Sequence, residues 1–243
     1  MKKTVLVTGA SGGIGSGICR VFAENGYDVI MQYRKNEKAA FALKDELETR
    51  FGVEVFPLCA DLSKDGECEK LSKEALALRS KIDVLVNNAG VSIRNVFQLV
   101  EEADAKRLFA VNIESAMRLC QLILPQMIRR KSGKIVNISS MWGVSGGSCE
   151  VHYSASKAAM IGFTKALSKE VGPSGINVNC VAPGFIETEM NACFDEKTKR
   201  EIALESSLQK NGTPRDVAEL VFFLSSEKAA FITGQTIGID GGR

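Results

Sequence analysis

Histidine is all but missing, with one residue in 243, so a zinc site is not expected. The seven cysteines (Cys19, Cys59, Cys68, Cys120, Cys149, Cys180 and Cys193) include no C-x-x-C pair. An odd, scattered set fits reduced thiols better than a disulfide framework. Long apolar runs are also lacking. After Lys2 and Lys3 the run Val5 to Val7 stops at Thr8 and Gly9, well short of the roughly 7–15 residues of a secretory core. No stretch is expected to reach the roughly 18 residues that cross a bilayer. Net charge is only +2, which gives no bulk pull toward nucleic acid or an anionic membrane. Linkers, low-complexity tracts and repeats are absent as well, so residues 1–243 are expected to form one domain of a cytoplasmic protein.

What is present suits a globular enzyme: 45% hydrophobic and 25% charged residues provide ample core. Seven short β-rich runs, "TVLVTG", "DVIMQY", "VEVFPLCA", "IDVLVNNAG", "GKIVNISS", "INVNCVAPG" and "QTIGIDGG", are mostly continuously apolar. That is the mark of parallel strands covered on both faces. Helical patterns fall between them, at 13–25, 36–51, 64–78, 98–130, 151–171 and 214–225. Alternating β and α elements predict an α/β fold: a Rossmann-type doubly wound domain with a seven-stranded parallel sheet and helices on both faces. The segment 185–212 carries the weakest pattern, and reads either as a lid or as a poorly packed surface helix.

"VLVTGASGGIG" places Gly9, Gly12, Gly13 and Gly15 between the first strand and the first helix. Glycines there let the backbone approach a pyrophosphate, whose charge meets the free N–H groups of the helix N-terminus. The second strand ends in "QYRKNEK", with Arg34 and Lys35 and no acid before Glu37. A basic residue at this place accepts the 2′-phosphate of NADP, where an acid would bind the ribose of NAD, so NADP(H) is the expected cofactor. Asp61, after the third strand, is placed to meet the adenine edge or to N-cap the next helix.

Tyr153 and Lys157 lie four apart on one helical face in "VHYSASKAAM". A nearby ammonium would lower a phenol pKa and make tyrosine a usable proton donor. Ser140 lies thirteen residues upstream at the end of a strand, and "NNAG" (87–90) ends another at the same rim. T-G-x-x-x-G-x-G at 8–15, N-N-A-G, Asn112, Ser140, Y-x-x-x-K at 153–157 and P-G at 183–184 together resemble the short-chain dehydrogenase/reductase family along essentially the whole chain.

The resemblance implies a tetrad of Asn112, Ser140, Tyr153 and Lys157. Ser140 would bind the substrate carbonyl, Tyr153 would deliver the proton, Lys157 would lower the tyrosine pKa and hold the ribose, and Asn112 would hold a relay water. Ser139 is the competing serine. The resemblance further implies cofactor contacts from Ser11, Ile14, Leu62, Asn88, Ala89, Gly90, Pro183, Gly184, Ile186 and Thr188, beside the residues already named. Many NADP-preferring members carry a basic residue in the glycine turn, at the place read here as Gly13. His152 is expected to be a wall or surface residue.

"NCVAPGFIETEM" and "YRKNEKAA" are similar to the branch that reduces β-ketoacyl groups on acyl carrier protein, typically as homotetramers. The basic run "IRRKSGK" (128–134) could dock such a carrier, or could complement its helix C-terminus. "SSMWG" and "GGSCEVHYS" instead resemble reductases that finish the 5-aminopentanol modification of a lysine on elongation factor P. Glu150 bears on that choice: beside the substrate's approach it would suit a cationic ketone, and the alternative is that it faces solvent or caps the helix near Val151.

Overall fold

The computed structural model describes residues 2–192 and 194–243, so Cys193 lies outside the described residues. Seven strands form one sheet: β1 (Thr4–Val7), β2 (Asp28–Tyr33), β3 (Val55–Cys59), β4 (Val84–Asn87), β5 (Gly133–Ile138), β6 (Ile176–Pro183) and β7 (Thr236–Ile239). Their order is β3-β2-β1-β4-β5-β6-β7, and every pairing is parallel. Pro57, which cannot donate to a ladder, sits on the edge strand β3. Nine α-helices connect the strands across the described residues: α1 (Gly13–Glu24), α2 (Glu37–Phe51), α3 (Glu67–Leu78), α4 (Glu102–Phe109), α5 (Ser115–Arg130), α6 (Met141–Ser145), α7 (Val151–Val171), α8 (Glu196–Leu204) and α9 (Pro214–Ser225).

Successive strand residues point to opposite faces, so each continuous apolar run feeds two cores at once. Val5 and Val7 pack with Ile18 and Phe22 of α1, Leu47 of α2 and Val217 and Val221 of α9. Leu6, between them, packs on the other face with Leu71 of α3 and Leu119, Ile123 and Met127 of α5. Chain direction reverses its order on either side of β1, which pairs with β2 on one flank and β4 on the other. At such a switch point the two flanking connections leave in opposite directions and open a crevice beyond the strand ends.

Several boundaries differ from the sequence pattern for identifiable reasons. α3 starts at Glu67 because Gly66 takes φ +79, so Asp61 does not cap it. Asp61 instead accepts from the Ser63 hydroxyl at 2.7 Å and the Ser63 N–H at 3.2 Å. The long helix starts at Glu102 and carries one wide π turn, Ala110–Glu114, between α4 and α5. Glu102–Arg130 contains an 18-residue window of mean hydropathy 1.2, long and apolar enough to cross a membrane by length and composition alone, and half of it is buried within the protein. Segment 185–212 contains α8, which buries only Ala203, and a parallel bridge between Ile186 and Gly212 pins its two ends together.

The basic run 128–134 lies where α5 ends and β5 begins, at the edge of the sheet opposite the carboxyl ends of the strands. Arg130 pairs with Asp83 at 2.9 Å and donates to the Ile82 carbonyl at 2.8 Å, while Lys134 donates to Asn177 at 2.8 Å. These two cations hold the N-terminal rim of the sheet together.

α1 and α9 cross closely at Gly17, where an added Cβ would lie 2.9 Å from both Cβ and the carbonyl oxygen of Pro214. Gly162, on the exposed face of α7, has nothing within 4 Å. Gly17→Ala is therefore expected to destabilise the protein by about 1–3 kcal/mol through overpacking. Gly162→Ala is expected to stabilise it by about 0.5–1 kcal/mol through backbone entropy. Urea unfolding of the two variants measures both signs.

Candidate active site

The turn after β1 is built so that backbone, not side chain, faces the crevice. Gly9 takes φ +65, and a Cβ on it would lie 2.9 Å from the Ala89 Cα. A Cβ on Gly15 would collide with the Gly9 carbonyl and stand 2.8 Å from Asn88 Nδ2. Thr8 ties this turn to the end of β4: its Oγ1 accepts from the Asn88 and Ala89 N–H groups, each at 3.0 Å. Asn88 returns the contact by donating to the Thr8 carbonyl at 2.8 Å. Gly12 caps α1 without a side chain, leaving the first-turn amides open to an anion. Such a cradle, which any larger residue would fill, fits the pyrophosphate of a dinucleotide. Gly13 needs a correction, because a Cβ there would lie 2.6 Å from Thr188 Cγ2, whereas at Gly12 the nearest atom is the Gly9 carbonyl at 3.5 Å. Room for a basic side chain in this turn exists at Gly12, not at Gly13.

One cleft of about 700 Å³ runs from this cradle over the carboxyl ends of the strands. All the cofactor positions expected from the sequence line it, Arg34, Lys35, Asp61, Leu62, Pro183, Gly184 and Ile186 included, and so do Ser140, Tyr153 and Lys157. Asn112 is the exception. It is completely buried behind the cleft in the π turn, a feature that recurs at functional sites because the extra residue re-aims a side chain. Its amide donates to the Val91 carbonyl at 2.9 Å and to Ser156 Oγ at 3.0 Å, and its Oδ1 accepts from Val91 N at 2.8 Å. Both side-chain hydrogens are engaged, so the Asn112 side chain braces the β4 loop against α7.

The two serines after β5 separate cleanly. Ser139 Oγ donates to the Lys157 carbonyl at 2.7 Å and is a structural bond. Ser140 Oγ caps α6 by accepting from Trp142 N at 3.2 Å, is hydrogen-bonded to Tyr153, and lines the cleft. His152 turns away, stacking on Phe97 with ring centroids 5.1 Å apart.

A family model described as short chain dehydrogenase matches residues 3–199. The chain belongs to the short-chain dehydrogenase family. It is 42% identical over its full length to the uncharacterized oxidoreductase YmfI of Bacillus subtilis, covering 99% of that protein. It is 38% identical, again over the full length and 99% of the relative, to the 3-oxoacyl-acyl-carrier-protein reductase FabG of Staphylococcus epidermidis. Among solved structures it is similar to YwfH, an NADPH-dependent reductase involved in bacilysin biosynthesis, with TM-score 0.93 and 27% identity over all of this chain and 98% of that one. It is also similar to the acetoin dehydrogenase YohF of Salmonella typhimurium, with TM-score 0.91 and 30% identity over 100% and 96% of the two chains. This chain is accordingly an oxidoreductase of the family, whose members use nicotinamide cofactors.

In this short-chain dehydrogenase the electrostatics of the free cleft run against the simple expectation for tyrosine. Burial pushes the Tyr153 phenol up to about 12; the Ser140 hydrogen bond works against that rise and the Glu150 charge adds to it. The Lys157 ammonium stands 5.7 Å from the Tyr153 ring centroid and donates to the Ile138 carbonyl at 2.8 Å. It does not offset burial in the free site. Burial pushes Lys157 itself down to about 8. Burial also works to raise Asp61, but the Ser63 hydroxyl and N–H and the charges of Arg34 and Lys64 outweigh it and hold the carboxyl low.

Three site residues escaped the sequence reading. Gln32 lies in the buried strand β2, accepts from Gly9 N at 2.8 Å and donates to the Ala60 carbonyl at 2.8 Å, bracing the cradle from below. One polar residue in the apolar run "DVIMQY" was a usable signal. Ser156 donates to the Tyr153 carbonyl at 2.7 Å, and Ser92 donates to Glu150 Oε1 at 2.7 Å. Nothing local in the sequence marks either serine.

Lys157 makes stability depend on pH in a definite direction. Its pKa of about 8 in the fold lies below its ordinary 10.5, so between those values the unfolded chain holds the proton that the folded chain has lost. Stability from this group rises with pH across that window, and below it the cost of burying the charge is constant. In urea unfolding of the ligand-free protein at about pH 7.5 and about pH 9.5, Lys157→Met is expected to lose that gain relative to wild type. An unchanged pH difference would show that Lys157 is not desolvated.

Proposed function

We propose that this oxidoreductase reduces a ketone with NADPH, with Tyr153 as the proton donor. The observation that carries the reading is the single cleft joining the Ser140, Tyr153 and Lys157 side chains to the glycine cradle and to the basic end of β2. NADPH, when bound, supplies the hydride. Ser140 would hold the carbonyl oxygen, and the phenol of Tyr153, protonated well above neutral pH, would give its proton to the oxygen as it gains charge. Lys157, anchored on Ile138, offers a cation beside the phenolate left behind. Arg34 and Lys35 support NADPH over NADH, since the carboxylate lining this end of the cleft, Asp61, is turned onto Ser63.

Two ketones remain in contention. The full-length similarity to acyl-carrier-protein reductases favours a β-ketoacyl thioester. Glu150 favours a cationic amino ketone, such as the aminopentanone arm on elongation factor P. It neither faces solvent nor caps α7 through its side chain: it is 6% exposed and lines the cleft directly before the helix that carries Tyr153. A buried carboxylate is a poor neighbour for an acyl chain and a good one for a protonated amine. We therefore assign the amino ketone as the better substrate.

Two measurements follow NADPH absorbance. Tyr153→Phe is expected to keep NADPH binding and to lose roughly 100-fold or more in turnover; near-normal activity would remove Tyr153 from the mechanism. Glu150→Gln is expected to weaken a 5-aminopentanone-type ketone by roughly 10- to 150-fold while sparing an acetoacetyl thioester. Equal effects on both substrates would return the assignment to the acyl thioester.

A further inference from the structure

Glu150 already has two partners within the protein. Its Oε1 accepts from Ser92 at 2.7 Å, and the same oxygen lies 3.8 Å from Arg94 Nη2. The partners are unequally buried, the Arg94 side chain being 50% exposed and that of Glu150 8%. Arg94 holds a second position at the same time. Its guanidinium lies 4.5 Å from the centroid of the Phe194 ring, which packs edge-on against Phe185 just beyond β6. Arg94, Glu150, Phe185 and Phe194 all line the cleft.

We propose that Arg94 is a specificity gate, an internal cation that occupies the Glu150 carboxylate in the free enzyme and yields it to a substrate ammonium. The inference rests on the amino-ketone reading above. A neutral chain meets a paired, uncharged couple at the mouth and gains nothing by separating it. An ammonium gains the buried carboxylate by exchange, and the displaced guanidinium keeps its place on the Phe194 ring, so no cation is left without a partner. The exchange sets selectivity below what an open carboxylate would give, because Arg94 competes for the same oxygen and repels the incoming charge.

The test uses full-length enzyme saturated with NADPH, with n-pentylamine and 1-pentanol as competing inhibitors of ketone reduction. The readout is the ratio of their inhibition constants. Arg94→Gln is expected to tighten pentylamine relative to pentanol by about 2- to 5-fold, the scale of a half-exposed ion pair. Glu150→Gln is expected to remove the preference for the amine, and Arg94→Gln added to Glu150→Gln is expected to change the ratio no further. If Glu150→Gln lowers the ratio but Arg94→Gln leaves it unchanged or weakens the amine, the gate is overturned and the amino-ketone reading stands. If Glu150→Gln leaves the ratio untouched, the amino-ketone reading falls and the gate falls with it.

Discussion

Lys157 is bonded twice to the end of β5, through its ammonium to the Ile138 carbonyl at 2.8 Å and through its own carbonyl from Ser139 Oγ at 2.7 Å. Those bonds press α7 against the loop that carries Ser140. The approach is close enough that a Cβ on Gly143 would stand 2.7 Å from the Lys157 carbonyl carbon. Asn112 adds the third brace, reaching Ser156 from the π turn. With the helix held by these three bonds from two sides, Tyr153 is placed next to Ser140 at the rim of the sheet. Catalytic groups must sit within a fraction of an ångström of their working geometry, and rigid elements do this better than loops.

The cleft grades from one electrostatic character to another along its length. At the β2 end Arg34 and Lys35 stand with the open amides of α1, a setting for phosphate. In the middle, burial dominates both titratable groups, holding Tyr153 protonated and making the Lys157 charge easy to lose. At the mouth Glu150 and Arg94 form a paired couple against Phe194. The glycine cradle, the Tyr153–Lys157 pair and the Glu150–Arg94 couple are thus separated along the cleft.

The seven strands and the parallel sheet were legible because each run is apolar throughout, and only a strand covered on both faces tolerates that. The cradle and the tyrosine–lysine pair were legible because their spacing is local: a turn of eight residues and one turn of helix. The reading failed where the controlling partner is far away in the chain. That Asn112 braces Val91 and Ser156 through its side chain could not be read from its neighbours in sequence. Nor could the basic run 128–134 show that Asp83 and Asn177, distant in sequence, pair with two of its cations.

By itself the sequence determined the fold class, the glycine turn and the tyrosine–lysine pair, since periodicity, glycine spacing and an i, i+4 pair are properties of neighbouring residues. Only the tertiary structure decided that Ser139 is engaged by the Lys157 carbonyl, that Gly12 and not Gly13 has room for a side chain, and that Glu150 is buried beside Arg94. The physical reason is common to all three. Burial, steric room and ion pairing are set by atoms that folding brings in from elsewhere in the chain, here Lys157, Thr188 and the β4 loop.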